Sequence, residues 1–490
     1  MSLRAVDARF LLPDEVATAC VMGDPEGWRA GLSGVGVELV DAVPGTTPDL
    51  AVAPAAVAAG ALAVGAAHCL LLGGDATRVA RSHGLVATAY LAVPDLAAPE
   101  YLIPIGQRRT VRYFYDVLRV APQRSRWYRN RVAARLGLVS REQRAQMVTV
   151  VGGDSDRPLG VAVGADACGF EPGGWLLSLG QATANRRAVF SVFDGADASP
   201  RIVVKLDRVP RCAAPAPAPA DGDGDGADDR WLTDLASREP VFGDHMPRPI
   251  AEVPCGGGRA TVETAAAGLV LTDLLRGPFG RRRKVAALEA VAAWLVTVAG
   301  VTAHRDPSRR PAATDGPSGG RPAHDSAIPP VPGVPMVVEH GDLWSGNVVY
   351  PPDRPFTVID WADADPDGLP LRDLLYFLSE GLALVDGAST DAQRDRHFAA
   401  LCRGELPSST LLFRWVRAVV AVVGIAPESV GPLASWCWEE MAARRLDALA
   451  DEFDHTMEHA GPELYEPAIR RGAIWARDPG LGIGWTAWSD

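Results

Sequence analysis

The stretch MVVEHGDLWSGNVVYPPDRPFTVIDWAD, residues 336–363, restricts the fold more than any other part of the chain. Short apolar runs separated by Gly, Pro and Asp predict a strand, a loop, a second strand, a turn and a third strand. Asp342 and Asp360 each follow an apolar run, and Asn347 lies in the loop between the first two strands. Because a hairpin brings such positions together, the pattern predicts a cluster of three side-chain oxygen donors.

These three residues suit phosphoryl transfer from a nucleotide, which depends on positioning and on charge neutralisation. Asp342 can accept the proton of an attacking hydroxyl, whereas Asn347 and Asp360 offer the oxygen ligands that Mg²⁺ prefers. Each residue alone is also compatible with a simple turn or strand end, but the three together favour a catalytic site. We expect His340 to be a structural hydrogen-bonding residue, because Asp342 already occupies the position that faces substrate.

At these residues the chain resembles the aminoglycoside phosphotransferase and choline kinase family, relatives of the protein kinases. HGDLWSGN is similar to the family's H-G-D-x-x-x-x-N catalytic loop, and VIDW to its metal-binding segment. The resemblance covers about residues 150–460 and is sharpest at 336–376. It implies a bilobal protein-kinase-like fold, with a small β-rich lobe and a large helical lobe, that uses ATP and Mg²⁺ to phosphorylate a hydroxyl of a small molecule. In the family, an aspartate matching Asp373 braces the catalytic loop.

Lysine is rare in this chain, because only Lys205 and Lys284 are lysines among 48 Lys and Arg residues. Lys205 lies in the apolar stretch RIVVKLDR, and the resemblance matches it to a small-lobe lysine that contacts the α- and β-phosphates. A compact ammonium fits between two phosphate oxygens where a planar guanidinium does not. The alternative is a lysine retained by chance on an exposed strand. We expect Lys284 to lie solvated at the start of a helix.

The resemblance also implies further contacts to the nucleotide. The segment SLGQATANRR corresponds to the turn over the phosphates, where Gly180 permits close backbone approach and the residues up to Asn185 keep the tip small. The segment VETAAAG corresponds to the connection between the lobes, where the backbone from Glu263 to Ala265 would contact the adenine edge.

The sequence does not identify the acidic residue that pairs with Lys205. In the family this acid lies on the helix after the lysine strand, but here the low-complexity segment 211–229 intervenes. We favour Glu239, and Asp228, Asp229 and Asp234 are the alternatives.

We expect an α/β and α+β protein of three parts. Residues 1–145 alternate apolar runs with Ala-rich segments, which predicts a Rossmann-like α/β domain with a parallel sheet. Residues 146–265 contain longer strands typical of an antiparallel meander, the expected small lobe, interrupted by the insertion 211–229. Residues 266–490 are mainly helical in pattern, the expected large lobe, with a second insertion at 306–335.

The N-terminal third faintly resembles the class I methyltransferases in VMGDPEGW, VELVD and AVPDLAAPEYLIPIG. Its GLSGVG precedes a strand instead of a helix, which argues against a dinucleotide-binding fingerprint. We interpret it as a degenerate methyltransferase-like domain used for regulation or packing. The alternatives to a kinase are therefore a nucleotide-binding pseudokinase that scaffolds a partner, and a bifunctional protein whose first domain transfers methyl groups.

Composition excludes several classes of protein. A net charge of −12 argues against binding to nucleic acid, and the seven scattered cysteines argue against disulfides or structural zinc and favour the cytoplasm. Residues 50–74 contain no Asp, Glu, Lys or Arg, but Pro54 and His68 interrupt them. This segment therefore predicts a strand, an Ala-rich helix and a strand, and not a membrane span.

Two groups of residues bear on the identity of the acceptor. Asp363, Asp365 and Asp367 could bind the amines of an amino sugar or simply form a polar loop, which we favour. The tryptophans of the late helices, Trp415, Trp436 and Trp438, are expected in the core instead of in a cage for a cation.

Overall fold

The fold is taken from a computed structural model. It describes residues 6–23, 27–41, 47–93, 96, 99–118, 132, 141–152, 157–179, 187–195, 197–206, 234–255, 258–305, 333–351, 355–456, 467–478 and 481. The chain forms two compact units, one of Met1–Ala220 with Arg248–Ala265 and one of Asp221–Pro247 with Ala266–Asp490.

The first unit is built on one twelve-stranded sheet. Its strands are β1 Thr18–Val21, β2 Glu38–Leu39, β3 Leu50–Pro54, β4 His68–Leu72, β5 Ala87–Val93, β6 Tyr101–Pro104, β7 Met147–Gly152, β8 Pro172–Ser178, β9 Ala188–Asp194, β10 Ile202–Leu206, β11 Pro249–Cys255 and β12 Gly258–Thr264. The order across the sheet is β11-β12-β10-β9-β8-β6-β5-β7-β4-β3-β1-β2.

Six described helices accompany this sheet: α1 Trp28–Gly34, α2 Ala58–Leu62, α3 Thr77–Ser82, α4 Arg108–Tyr113, α5 Arg141–Arg144 and α6 Leu159–Cys168. Short 3₁₀ helices cover Val6–Leu11 and Ala55–Val57, and a π turn covers Phe114–Leu118. Helix α1 packs with Val21 and Val52 on one face of the sheet, whereas α2 and α3 pack with Ala51 and Ala53 on the other. The alternation along β3 thus supplies both hydrophobic cores.

The expected parallel layer is present in part: β2, β1, β3 and β4 pair in parallel in that order, whereas β5 pairs antiparallel with both β6 and β7. The uncharged segment from residue 50 to 74 forms β3, a 3₁₀ turn, α2 and β4, so the predicted strand, helix and strand are confirmed. Every residue of β4 is buried, which accounts for its lack of charge.

The expected domain boundary near residue 145 falls inside this sheet. Strand β7 inserts antiparallel between β4 and β5, and β6 pairs with β8 through Tyr101–Ser178 and Leu102–Leu177. The residues assigned from sequence to a Rossmann-like domain and to a small lobe therefore share one ladder of hydrogen bonds. Strand β7 is apolar and almost entirely buried. Its backbone N–H and C=O groups cannot reach water, and pairing with a strand on each edge satisfies their hydrogen bonds.

The antiparallel portion β8-β9-β10-β12-β11 is the predicted meander extended by two strands. Helix α6 covers one of its faces, where Gly160 and Gly164 allow close approach. A Cβ at Gly164 would lie 2.4 Å from Cγ2 of Val204. The buried residues Val204 and Leu206 of β10 point toward this helix, which leaves Lys205 on the opposite face of the sheet.

The second unit is mainly helical. Its helices are α7 Pro240–Gly243, α8 Leu271–Arg276, α9 Arg281–Thr302, α10 Arg372–Val385, α11 Asp391–Cys402, α12 Ser409–Val423, α13 Val430–Thr456 and α14 Pro467–Arg477. Its strands are β13 Leu269–Val270, β14 Val337–Glu339, β15 Val348–Tyr350, β16 Thr357–Val358 and β17 Asp365–Gly368. They form a three-stranded sheet, β13-β15-β16, and the pair β14-β17. The helical patterns predicted in the last third correspond to α9, α10 and α13.

Within the described residues, α9 is long and apolar enough to cross a membrane by length and composition. Its buried side chains, including Leu288, Val291 and Trp294, belong to the core of the second unit. Helices α10 and α12 both pack against it. The apolar character of α9 is thus explained by its position in a core.

Candidate functional site

The loop after β14 is held by the carboxylate of Asp373, at the start of α10. Its Oδ2 accepts a hydrogen bond from the backbone N–H of His340 at 2.6 Å, and its Oδ1 accepts one from Gly341 at 3.1 Å. Two backbone donors on one carboxylate fix the direction in which the loop leaves the strand. The bracing role expected for Asp373 is confirmed.

Gly341 is required by the geometry of this loop. Its φ is 83°, in the left-handed region, and a Cβ built on it would lie 2.1 Å from the carbonyl oxygen of Asp363. Any side chain at this position would displace Asp363 or the loop. Gly341 thus lets the loop carrying Asp342 pack directly on the turn after Asp360.

His340 joins the loop to the next strand, as expected for a structural residue. Its Nδ1 accepts the N–H of Asp342 at 3.3 Å, so its Nε2 carries the proton donated to the carbonyl of Ile359 at 2.9 Å. The ring also packs against Trp361, with centroids 4.7 Å apart. Both ring nitrogens are engaged in backbone contacts, so His340 is not placed to act as the base.

Asp342 carries a carboxylate that is contacted on both oxygens. Arg445 of α13 donates to Oδ1, and the amide nitrogen of Asn347 donates to Oδ2 at 3.3 Å and to the Asp342 carbonyl at 2.8 Å. Burial raises the pKa of Asp342, while Arg445 and His340 act in the opposite direction. A raised pKa suits a group that must take up a proton during the reaction.

Asp360 is in a strained backbone conformation. Among the described residues it is the one non-glycine residue with a positive φ, 67°. The preceding N–H, of Ile359, donates to the carbonyl of Asn347 at 2.9 Å, which brings Asp360 next to the Asn347 loop. Strain of this kind persists only where the surroundings enforce it, and it is concentrated at functional sites.

The side chains of Asn347 and Asp360 could provide two ligands to a metal ion whose remaining ligands are phosphate and water oxygens. Both hydrogen bonds of the Asn347 side chain use its amide nitrogen, which leaves the amide oxygen for another ligand. The backbone of Asp360 follows Ile359, whose N–H donates to the carbonyl of Asn347, so this acidic residue adjoins the same loop. The described residues contain no group of three or more His, Cys, Asp and Glu side chains able to hold a metal. Mg²⁺ in nucleotide sites is commonly bound by one or two protein oxygens together with phosphates and water, and this pair fits that pattern.

A buried ionic network lies next to the loop, and no local sequence pattern predicts it. Arg372 contacts Glu339 and lies 3.0 Å from Glu440, and Arg444 lies 3.3 Å from Glu339 and 2.7 Å from Glu440. Arg444 is also 3.1 Å from Asp365. Arg372 is 1% exposed, and burial lowers its pKa to about 10. Charges this deep must be paired, so the network fixes β14, α10 and α13 relative to one another.

Lys205 lies in the first unit and pairs with Glu263 of β12, with Nζ and Oε1 2.8 Å apart. Both side chains are about five-sixths buried, at 17% and 16% exposure. The acid that holds the lysine is thus Glu263 and not Glu239, the preferred sequence candidate. Glu239 precedes α7 in the second unit, and Asp234 pairs with Arg238. The strand register explains the change, because Val203 and Glu263 are direct partners and Lys205 projects from the same face.

The backbone expected to contact adenine is partly used within the first unit. The N–H of Thr264 donates to the backbone carbonyl of Arg248 at 2.9 Å, and the N–H of Ala265 donates to the backbone carbonyl of Arg201 at 3.0 Å. The N–H groups of Thr264 and Ala265 therefore already have partners. An adenine edge would have to use carbonyl groups here or the residues that follow.

Several predicted residues lie outside the described parts of the chain. These are Gly180 and Asn185 in the segment between β8 and β9, Asp228 and Asp229, the insertion 211–229 and residues 306–332 of the second insertion.

The acids and tryptophans considered for acceptor binding have internal roles. Asp365 pairs with Arg444, and Asp367 lies 3.1 Å from Nε2 of His304. Trp438 is buried in the core of the second unit, and Trp415 and Trp436 pack against that core. The polar-loop interpretation of the acids and the core interpretation of the tryptophans are supported.

No protein-family model matches this chain, and no curated protein matches its sequence. The geometry of the loop therefore carries the functional argument.

Proposed function

We propose that the protein is a cytoplasmic phosphotransferase that uses ATP and Mg²⁺ to phosphorylate a hydroxyl of a small molecule, such as an amino sugar or another natural-product metabolite. In this proposal the antiparallel strands of 146–265 serve as the small lobe of a bilobal, protein-kinase-like enzyme and the second unit serves as the large lobe. The observation that carries the proposal is the braced loop, in which Asp373 fixes the backbone and Asn347 hydrogen-bonds Asp342.

The residues divide the work of phosphoryl transfer. Asp342 orients the acceptor hydroxyl and takes its proton, and Lys205, held by Glu263, contacts the α- and β-phosphates. Asn347 and Asp360 would hold Mg²⁺, which neutralises charge that develops on the phosphates. The resemblance of HGDLWSGN and VIDW to a kinase family supports the same assignment.

The test is ATP consumption by the full chain across a panel of amino sugars and nucleosides. We expect Asp342→Asn to lower turnover by at least about a thousandfold, because the base is lost and the loop geometry is kept. Nucleotide binding, measured by calorimetry, should remain close to that of the parent. Asp166→Asn, an exposed acid on α6, is the matched control and should retain full activity.

The result also separates the enzyme from a pseudokinase. ATP binding without consumption, with every acceptor in the panel, would favour a scaffold. An Asp342→Asn variant as active as the parent would contradict the assignment of the base.

A second candidate activity has one specific observation in its favour. The parallel strands β2-β1-β3-β4 have α1 on one face and α2 on the other, so the strand order reverses between β1 and β3. Ligands of open α/β sheets bind at the carboxyl ends of the strands at such a point. Calorimetry of the full chain with S-adenosylmethionine tests a methyltransferase-like role, and absence of heat at millimolar ligand would exclude it.

A further inference from the structure

We propose that Arg445 is a positioning residue that holds Asp342 as an oriented carboxylate, engaging Oδ1 and leaving Oδ2 for the acceptor hydroxyl. The inference rests on the proposed function, because it gives Asp342 the role of base. Arg445 itself contacts Asp342 and is not required to contact the acceptor.

The contacts of Asp342 divide its two oxygens. The guanidinium of Arg445 donates to Oδ1, whereas Oδ2 has the long 3.3 Å contact to Asn347, which a hydroxyl can share or replace. The side chain of Asp342 is 17% exposed, so it is not fully sealed from solvent. A charge-assisted bond to one oxygen and a weak bond to the other fix the orientation of the group.

Arg445 supplies a positive charge in direct contact with the Asp342 carboxylate. His340, the other basic residue of the loop, uses both ring nitrogens in contacts with backbone groups. A charged group in contact with one oxygen of a largely buried carboxylate limits the directions in which the group can turn.

The helix that carries Arg445 is anchored one residue earlier. Arg444 bridges Glu339, the last residue of β14, and Glu440 on its own helix. Glu440 in turn lies 3.0 Å from Arg372 of α10. The backbone at Arg445 is thereby fixed to the strand and the helix that position the loop, so Arg445 meets Asp342 without a separate ordering step.

The proton balance of the reaction is consistent with this arrangement. As the acceptor oxygen bonds to the γ-phosphorus, the bond from that phosphorus to the bridging oxygen of ATP breaks, and ADP leaves. The hydroxyl proton passes to Oδ2 of Asp342 and later to water.

The first test separates kcat from the KM for ATP. We expect Arg445→Met to lower kcat at least about tenfold and to leave the KM for ATP nearly unchanged, because Asp342 loses the contact that fixes its orientation while the nucleotide loses none. Arg445→Lys should recover part of this loss. Arg414→Met, which breaks a surface contact to Glu289, is the matched control and should leave kcat unchanged. An unchanged kcat in Arg445→Met would overturn the proposal.

The second test does not need activity. A double-mutant cycle of Asp342→Asn and Arg445→Met, followed by thermal unfolding, should give effects on stability that are not additive, because the two changes remove the two partners of one contact. Additive effects would overturn the role of Arg445, even in an active enzyme. Coupling in a protein that consumes no ATP would instead overturn the proposed function.

Discussion

At the scale of single residues, the site depends on where each charge finds its partner. Lys205 and Asp342 both lie on apolar strands or their ends, and both are held by a residue of opposite charge. In each case the partner comes from a different element, β12 for the lysine and α13 for the aspartate. The orientation of each of these two side chains is therefore set by how the elements pack. A substitution of the partner should change that orientation.

Glu263 is the residue on which this can be tested most directly. We expect Glu263→Gln to lower kcat/KM for ATP about tenfold, close to 1.4 kcal/mol, because Lys205 loses the group that orients its ammonium. Glu263→Asp should be intermediate. Steady-state kinetics with varied ATP measures the effect. Glu252→Gln, which removes an exposed partner of Arg259 on the neighbouring strand, is the control, and an equal loss there would refute the positioning role.

The local sequence predicts the grouping of the residues in the loop after β14, but it does not predict the contact with Arg445. Asp342, Asn347, Asp360 and Asp373 lie close together in the chain, and their grouping follows from a short hairpin and one helix start. The pair formed by Asp342 and Arg445 spans 103 residues and depends on how α13 packs. Nothing in the local pattern distinguishes Arg445 from its neighbours on the helix.

At the scale of elements, α6 and β10 illustrate how small residues position the strand that carries Lys205. Gly160 and Gly164 bring the helix into contact with Leu206 and Val204, on the face opposite Lys205. Helix α6 thus packs on the face of β10 opposite Lys205, and glycines at two contact positions let it approach closely. The register of β10 with β12 in turn places Lys205 on the same face as Glu263.

We expect Gly164→Ala to destabilise the protein by about 1–3 kcal/mol, because the new methyl overlaps Val204 in a packed core. Chemical unfolding followed by circular dichroism gives the value. Asp166→Ala lies on the exposed side of the same helix and should change stability by less than about 0.5 kcal/mol. Equal stabilities for the parent and the Gly164 variant would show that the helix can shift without cost.

At the scale of the whole chain, the first unit joins parts that sequence patterns separate. The pattern predicts parallel strands before residue 145 and antiparallel strands after it, and both are present. The pairing of strands from before residue 145 with strands from after it depends on contacts that are distant in the sequence. The β6–β8 and β4–β7 ladders could not be deduced, because apolar strands carry little information about their partners.

A chain that begins at residue 146 tests this union. We expect it to lose cooperative thermal unfolding, because β7 loses both neighbours and β8 loses β6. The buried side chains Trp175 and Leu177 would also lose contacts with Tyr90 and Leu102. Circular dichroism melting against the full-length protein provides the measurement. A sharp transition at the parental temperature would mean that the antiparallel strands fold independently.

The placement of β7 between β4 and β5 also limits how genes for such chains can be reshuffled. A crossover or fusion point near residue 145 would exchange a central strand for one whose side chains evolved against other neighbours. Hybrids joined there should be eliminated by selection, whereas hybrids that inherit residues 18–152 from one parent keep both ladders of β7 intact. The first third and the strand that follows it are therefore expected to be inherited as a single block.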